Sequence, residues 1–551
     1  MIYSGEPGEP ELYKLAHMLV LAAILLLAVG LRSFNLNFPS IGYQNLNENE
    51  YLIAAQEMKR TGDYLINKIY CYNIFQEPAD RYRSWPALIP YQILLAWKLF
   101  DENLWGPRLF NVLFGCLSVL AFYRLSLFLF KNEARALSAG LLLAIMPLAV
   151  FFSRNLQPES PAFFFMVLSN LLYLRFASTL KKYNLFASGL SLSLACLYDF
   201  HFFITIVPYL LCFPFRRCLK DRKDFLSAGL LFLLSLSPLV ITVIWMGSLP
   251  GQDFLLFKNI KPLDIFSARY WVEHGRPIWW YAKQENFTIV YILLALAGLA
   301  AAFFKRKGLL NRYLIGWSLA LVIYGAVYSG YLSENNFSQM PFLIVVCIAA
   351  VYALSSASDF LKKYFKRDFF LVCMLIIVSI SVPFVSASIV RMFQTAFLGT
   401  DVAGESLKEF TQPGERVFFS GHIQGYGILR YSGRPAGWSD NPDEFRAREK
   451  EFKINYACFY PVENLFRLKA EHAALFAYLQ ENYHIKEVGL TEEPLRLYYV
   501  ILERGQGGDL EASLKSLSGA KQMRTIYKSF DKYVFFYALR TVKDKSKEAE
   551  R

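Results

Sequence analysis

Charge is scarce in this chain: Asp, Glu, Lys and Arg make up only 19% of its 551 residues, while 55% are hydrophobic. So little charge over such a length excludes a solvated globule and equally a disordered or fibrous chain. Cysteine is sparse as well. The 8 cysteines follow no metal-ligand or redox spacing, which argues against a zinc module or a disulfide scaffold. Cys116, Cys196, Cys212, Cys347 and Cys373 fall inside apolar runs and Cys218 abuts a basic loop, so they read as small core residues. Only Cys71 and Cys458, both in long polar segments, offer a disulfide. No glycine-rich phosphate loop is present, so nothing calls for a cytoplasmic sugar nucleotide. A small-residue cleavage site after the first apolar run is missing too, and that run is expected to remain as an anchor.

What is there is a series of uncharged apolar runs from Leu15 to Arg391, each long enough for a helix to cross a hydrocarbon layer of ~30 Å. They imply a polytopic α-helical membrane protein with eleven spans, near 15–32, 108–130, 136–152, 160–178, 185–198, 201–215, 225–247, 288–304, 313–332, 341–357 and 368–391. The run at 86–100 carries Pro86, Pro90 and Lys98 between Trp85 and Trp97, and is expected to lie flat in the interface.

The net charge of +13 suggests nucleic acid until its location is read. The loops 131–135, 179–184, 216–224, 305–312 and 358–367 hold 17 Lys or Arg, whereas 101–107, 153–159 and 333–340 hold Arg154 alone. With eleven spans every basic loop faces the cytoplasm of a plasma (inner) membrane, although Glu6, Glu9 and Glu11 before the first span dissent. This excludes a nucleic-acid partner and leaves 33–107, 248–287 and the tail from about 392 outside. The expected domains are therefore a transmembrane part, 1–391, and an extracytoplasmic α/β domain, 392–551. In the tail, Arg416–Ser420, Tyr456–Tyr460 and Leu497–Leu502 read as strands alternating with helical stretches at 464–482 and 509–518.

Three polar clusters interrupt the apolar pattern. The first is Asn47-Glu48-Asn49-Glu50-Tyr51, followed by Ala55-Gln56-Glu57-Met58. A helix starting near Asn47 puts Glu48, Tyr51 and Ala55 on one face, though Asn47 with Glu50 would also serve as a plain capping box. The second, Ser153 to Glu159, lies between two spans. Pro158 and Glu159 suit a helix start, yet the topology puts Glu159 on the same side as Glu48. The third, Tyr198-Asp199-Phe200-His201, breaks a long apolar stretch at a depth where ionisable groups are costly and mark cavities. Most other spans lack acidic residues, which argues against an ion-coupled transporter.

These residues resemble the GT-C membrane glycosyltransferases of the protein O-mannosyltransferase-related family 39 and their aminoarabinose-transferase-like relatives, over about residues 10 to 390. The first external loop of that family carries Asp-Glu-x-x-Tyr, then an alanine and Glu-Met, matched here from Glu48 on but with Asn47 in place of the Asp. Arg83-Ser84-Trp85-Pro86, then Gly106-Pro107-Arg108, and Ser153-Arg154 through Pro158-Glu159 follow in the family's order. The resemblance implies inverting transfer of a sugar from a polyprenyl-phosphate donor to a glycan, lipid or protein acceptor at the outer face, among membrane lipids. An acidic residue would activate the acceptor and cations would hold the leaving phosphate.

An amide is no base, so with Asn47 at the leading catalytic position that role passes to Glu48, alone or shared with Glu159. The family's lysine after the fifth span is replaced by Asp199 and His201, and the Arg-Tyr before the tenth is missing. Substrate binding then falls to Tyr51, Arg83, Arg108, Arg154, Asp199, His201, Arg269 and Arg276. Some relatives use a divalent metal cation, for which Glu48, Glu159 and His201 are the candidates. The aromatic stretch from Arg269 to Tyr281 would cover the lipid or simply belong to the interfacial belt. The rival readings are a flippase or transporter of lipid-linked sugars and a binding protein that no longer transfers.

Overall fold

A computed structural model describes residues 11–65, 68–69, 81–82, 88–218, 222–248, 266–305, 308–421, 425, 427–516, 520–530 and 532–541. Two compact units emerge, one of Met1–Leu36 with Ser84–Met392 and one of Asn37–Arg83 with Phe393–Arg551. The helical unit ends at Met392 and the second unit resumes at Phe393. The stretch 37–61, expected in a loop of the transmembrane part, instead packs with the tail, because Phe38, Ile41, Ile53 and Ala54 share a core with it.

The helical unit opens with α1 (Glu11–Arg32), α3 (Ile89–Phe100) and α4 (Trp105–Phe130). It continues through α5 (Glu133–Ile145), α6 (Pro147–Arg154), α7 (Glu159–Thr179) and α8 (Lys182–Tyr198). Among the described residues seven helices are long and apolar enough to cross a membrane, or nine if the bent pairs Glu133–Ile145 with Pro147–Arg154 and Phe225–Ser235 with Ser237–Trp245 each count as one span. Eleven were expected. The shortfall is at 185–198 and 201–215: the first lies in the 17-residue α8, and the second is a 3-10 turn, Phe200–Thr205, leading into the short helix Ile206–Cys212. The break between them is where the sequence places it: the Asp199 side chain accepts from the His201 amide and starts a tight turn there. The run 86–100 contains α3, which has Pro90 in its first turn as a proline at a helix start should be.

The second unit holds α2 (Asn45–Thr61) and the short antiparallel pair β1 (Lys68–Ile69) and β2 (Arg81–Tyr82). Its centre is a seven-stranded sheet of β3 (Val417–Gly421), β4 (Ala436–Gly437), β5 (Tyr456–Tyr460), β6 (Tyr483–Glu492), β7 (Leu495–Arg504), β8 (Ala520–Ser529) and β9 (Lys532–Arg540). The strand order is β4-β3-β5-β7-β6-β9-β8, parallel across β4-β3-β5 and antiparallel beyond.

The apolar strands expected in the tail are thus β3, β5 and β7, and their central residues are apolar on both sides because both faces are covered there. Phe419, Cys458, Tyr460, Tyr499 and Ile501 face one core, which also takes Phe38, Ile41, Ile53 and Ala54 from the 37–61 segment. Phe418, Ala457, Phe459, Val500 and Leu502 face the other, under the helices Glu463–Glu471 and Ala473–Asn482. Cys458 is buried with a free thiol, and Cys71 lies outside the described residues.

Candidate functional site

In the second unit, α2 begins at Asn45, two residues before Asn47, and the side chain of its N-cap residue Gln44 does not cap the helix. The capping box that Asn47 and Glu50 could have formed is therefore not how this helix starts. Glu48 lies in the first turn and is 3% exposed, with Tyr51 and Ala55 buried on its face as the spacing requires. Its Oε2 accepts from Ser40 Oγ at 2.6 Å. Ser40 is itself fixed at both backbone groups: its amide donates to Tyr431 Oη at 2.9 Å and its carbonyl accepts from Asn49 Nδ2 at 2.9 Å. A buried carboxylate costs several kcal/mol unless it is hydrogen-bonded. Here a hydroxyl anchored by the tail domain and the positive end of α2 offset part of that cost.

In the helical unit the Ser153–Glu159 segment is held from several sides. Asn111, inside α4, donates through Nδ2 to Asn155 O at 2.6 Å and to Gln157 O at 2.7 Å, while its Oδ1 accepts from Gln92 Nε2 at 2.7 Å. Ser160 Oγ reaches Asn111 O at 3.1 Å and Ser153 Oγ at 3.2 Å. Pro158 precedes α7 and Glu159 is its first residue, 2% exposed, so the carboxylate stands against the helix N-terminus in a buried setting.

The two central arginines both reach backbone carbonyls of the chain after α1. Arg108 donates to Leu36 O at 2.8 Å, and Arg154 donates to Asn35 O at 2.5 Å and Asn155 Oδ1 at 2.8 Å. Both are nearly inaccessible and fix the chain leaving α1.

Asp199 and His201 form a pair, with Asp199 Oδ1 2.7 Å from His201 Nδ1. The imidazole stacks on Tyr331, ring centroids 4.1 Å apart, and meets Tyr328 and Tyr324 edge-on. Arg269 is exposed and pairs with Glu273 at 2.7 Å, and Arg276 is exposed on the helix Arg276–Tyr281. Arg83 lies outside the described residues. Glu48 thus belongs to the sheet unit, and Arg108, Arg154, Glu159, Asp199 and His201 to the helical unit. Among the described residues no group of three His, Cys, Asp or Glu side chains is placed to hold a metal ion.

Sequence reasoning missed Ser40, Gln92, Asn111 and the tyrosines around His201. Asn111 carried a usable signal, an amide in the first turns of an apolar span, where a polar group needs a partner.

The family model for dolichyl-phosphate-mannose-protein mannosyltransferase matches residues 84–242, a stretch that contains Arg108, Arg154, Glu159, Asp199 and His201 but not Glu48. An undecaprenyl phosphate-alpha-4-amino-4-deoxy-L-arabinose arabinosyl transferase of Pseudomonas fluorescens is 25% identical over 339 residues, 59% of this chain and 57% of that protein. The corresponding protein of Pseudomonas aeruginosa is 26% identical over 271 residues, 47% of this chain and 46% of its own length. The chain spans about half the length of these curated relatives.

Among solved structures, the archaeal oligosaccharyltransferase AglB from Archaeoglobus fulgidus superposes with a TM-score of 0.55 at 14% identity, covering 94% of this chain and 80% of that one. ArnT from Cupriavidus metallidurans in the apo state superposes at 0.51 and 13% identity, covering 88% and 97%. The fold is that of these GT-C proteins, and the motif resemblance to GT-C glycosyltransferases is supported by the family match and the relatives alike.

Proposed function

We propose that this chain is a polyprenyl-phosphate-sugar-dependent glycosyltransferase, moving a sugar with inversion to an acceptor at the outer face of a plasma membrane. A lipid-phosphate donor lies in the bilayer, so its transferase must carry catalytic groups at the membrane interface. The observation that carries the reading is Glu159: a buried carboxylate at the first turn of α7, in a segment pinned by Asn111 and lying within the family-matched stretch. Its relatives in Pseudomonas are named for transfer from undecaprenyl phosphate to which an aminopentose is linked, which favours a pentose donor.

In this reading Glu48 and Glu159 supply the acidic function, the first choice for base being Glu48, whose Oε2 is oriented by Ser40. The Asp199–His201 pair supplies a directed imidazole beside the tyrosines, suited to a phosphate or sugar hydroxyl. Arg108 and Arg154 act through the backbone they hold.

The test uses purified full-length protein with a polyprenyl-phosphate-linked aminopentose and a lipid acceptor. Glu48→Gln and Glu159→Gln are expected to suppress transfer while leaving donor binding near wild type. Undiminished transfer by both variants overturns the assignment.

A further inference from the structure

The helix break between α5 and α6 creates a local problem that a residue of α1 solves. Pro147 has no amide hydrogen, so the Leu143 carbonyl four residues earlier loses its intrahelical donor. Met146, extended at φ −62° and ψ 125°, turns the chain, and the two helices bend by 56°. The last carbonyls of α5 thus end inside an apolar bundle, where unsatisfied polar groups are expensive.

Arg32, the last residue of α1, fills the gap. Its Nη1 donates to Ala144 O at 2.8 Å and its Nη2 to Leu143 O at 3.2 Å. A guanidinium offers two parallel donors to two neighbouring carbonyls, which the point charge of a lysine does not. The side chain is 1% exposed and makes no ion pair with a carboxylate among the described residues. Gly115 gives it room: a Cβ there would stand 3.0 Å from Arg32 Nε and 2.5 Å from Ser153 Oγ. A small cavity lies between Arg32, Gly115, Ser118, Ser153 and Ser160.

The arrangement is reciprocal. α6 ends at Arg154, whose guanidinium returns to the carbonyls of Phe34 and Asn35, just past Arg32. One arginine of α1 holds the end of α5, one arginine of α6 holds the exit of α1, and the next turn of chain carries Glu159.

We propose that Arg32 is a positioning residue for the transfer reaction: it replaces the amide that Pro147 lacks, fixes the bend, and so sets where the Ser153–Glu159 segment presents its carboxylate. This rests on the transferase reading above and adds to it a residue outside the family-matched stretch.

The experiment compares full-length wild type with Arg32→Gln, Arg32→Lys, Pro147→Ala and the Arg32→Gln/Pro147→Ala double variant. It measures kcat and donor KM with a polyprenyl-phosphate-linked aminopentose, and amide hydrogen exchange over residues 147–159. Arg32→Gln is expected to lower kcat about tenfold or more, the scale of a small misplacement of a catalytic group, with donor KM little changed. Exchange should quicken in 147–158 and not in α4 or in α7 beyond its first turn. Arg32→Lys should fall between, and also serves if the Gln variant does not fold. Pro147→Ala, which restores an amide, should make the loss of Arg32 less damaging, so the two changes are non-additive. Wild-type kcat with unchanged exchange in both Arg32 variants, or strictly additive effects, overturns the proposal. If wild type itself transfers no sugar, the transferase reading fails, and exchange together with its additivity still decides the clasp.

Discussion

At the scale of single residues, the informative feature is where carboxylates are buried. Glu48 and Glu159 each occupy a helix start and are nearly inaccessible. Replacing either by glutamine keeps shape and removes charge, and general acid–base catalysis contributes roughly 10²–10⁴-fold, so transfer should fall within that range when the proton acceptor is lost. Steady-state kinetics on each variant check this.

Asp401 in the tail is a different case. Burial pushes its carboxyl up to about 6, opposed by the Tyr527 hydroxyl that donates to it. An unfolded aspartate titrates near ~4, so between about pH 4 and 6 the folded domain holds a proton that the unfolded chain releases. This group's contribution is therefore fully present below pH ~4 and lost as pH rises through about 6, amounting to about 3 kcal/mol. Asp401→Asn should flatten the stability profile in that window, as followed by denaturant unfolding of the full chain. An unchanged slope contradicts the assignment.

At the scale of elements, the Ser153–Glu159 segment is shaped by its neighbours more than by its own residues. Asn111→Ala removes both bonds to the Asn155 and Gln157 carbonyls and leaves Gln92 without its acceptor. The expected loss is about 1–3 kcal/mol of stability, read by thermal unfolding, together with reduced transfer. Asn111→Asp, which cannot donate when ionised, should be at least as damaging.

The same network shows what was legible in the sequence. Long apolar runs such as α4 and α7 could be read directly, and Glu48 and Glu159 stood out through the motifs that carry them. The clasp could not be read. Asn111 finds its acceptor 46 residues away and Arg32 finds its own 112 away, so their roles exist only once the helices pack. The break at Asp199 was legible, and what hydropathy could not show is how short the helix beyond it is, Ile206–Cys212 after a 3-10 turn.

At the scale of the whole molecule, apolar composition announced a membrane protein, and strands buried on both faces announced the tail. What composition did not reveal is that 37–61 belongs with the tail, since an interspersed segment is assigned only by the core it joins. The chain-wide claim is transfer rather than transport. The most direct measurement reconstitutes the purified protein in liposomes with a labelled polyprenyl-phosphate aminopentose, with and without a lipid acceptor. Label should move to the acceptor, with release of the polyprenyl phosphate, in wild type and not in Glu159→Gln, and without acceptor the donor should stay in its leaflet. Donor crossing the bilayer at the same rate without acceptor, with no labelled product formed, would contradict the account.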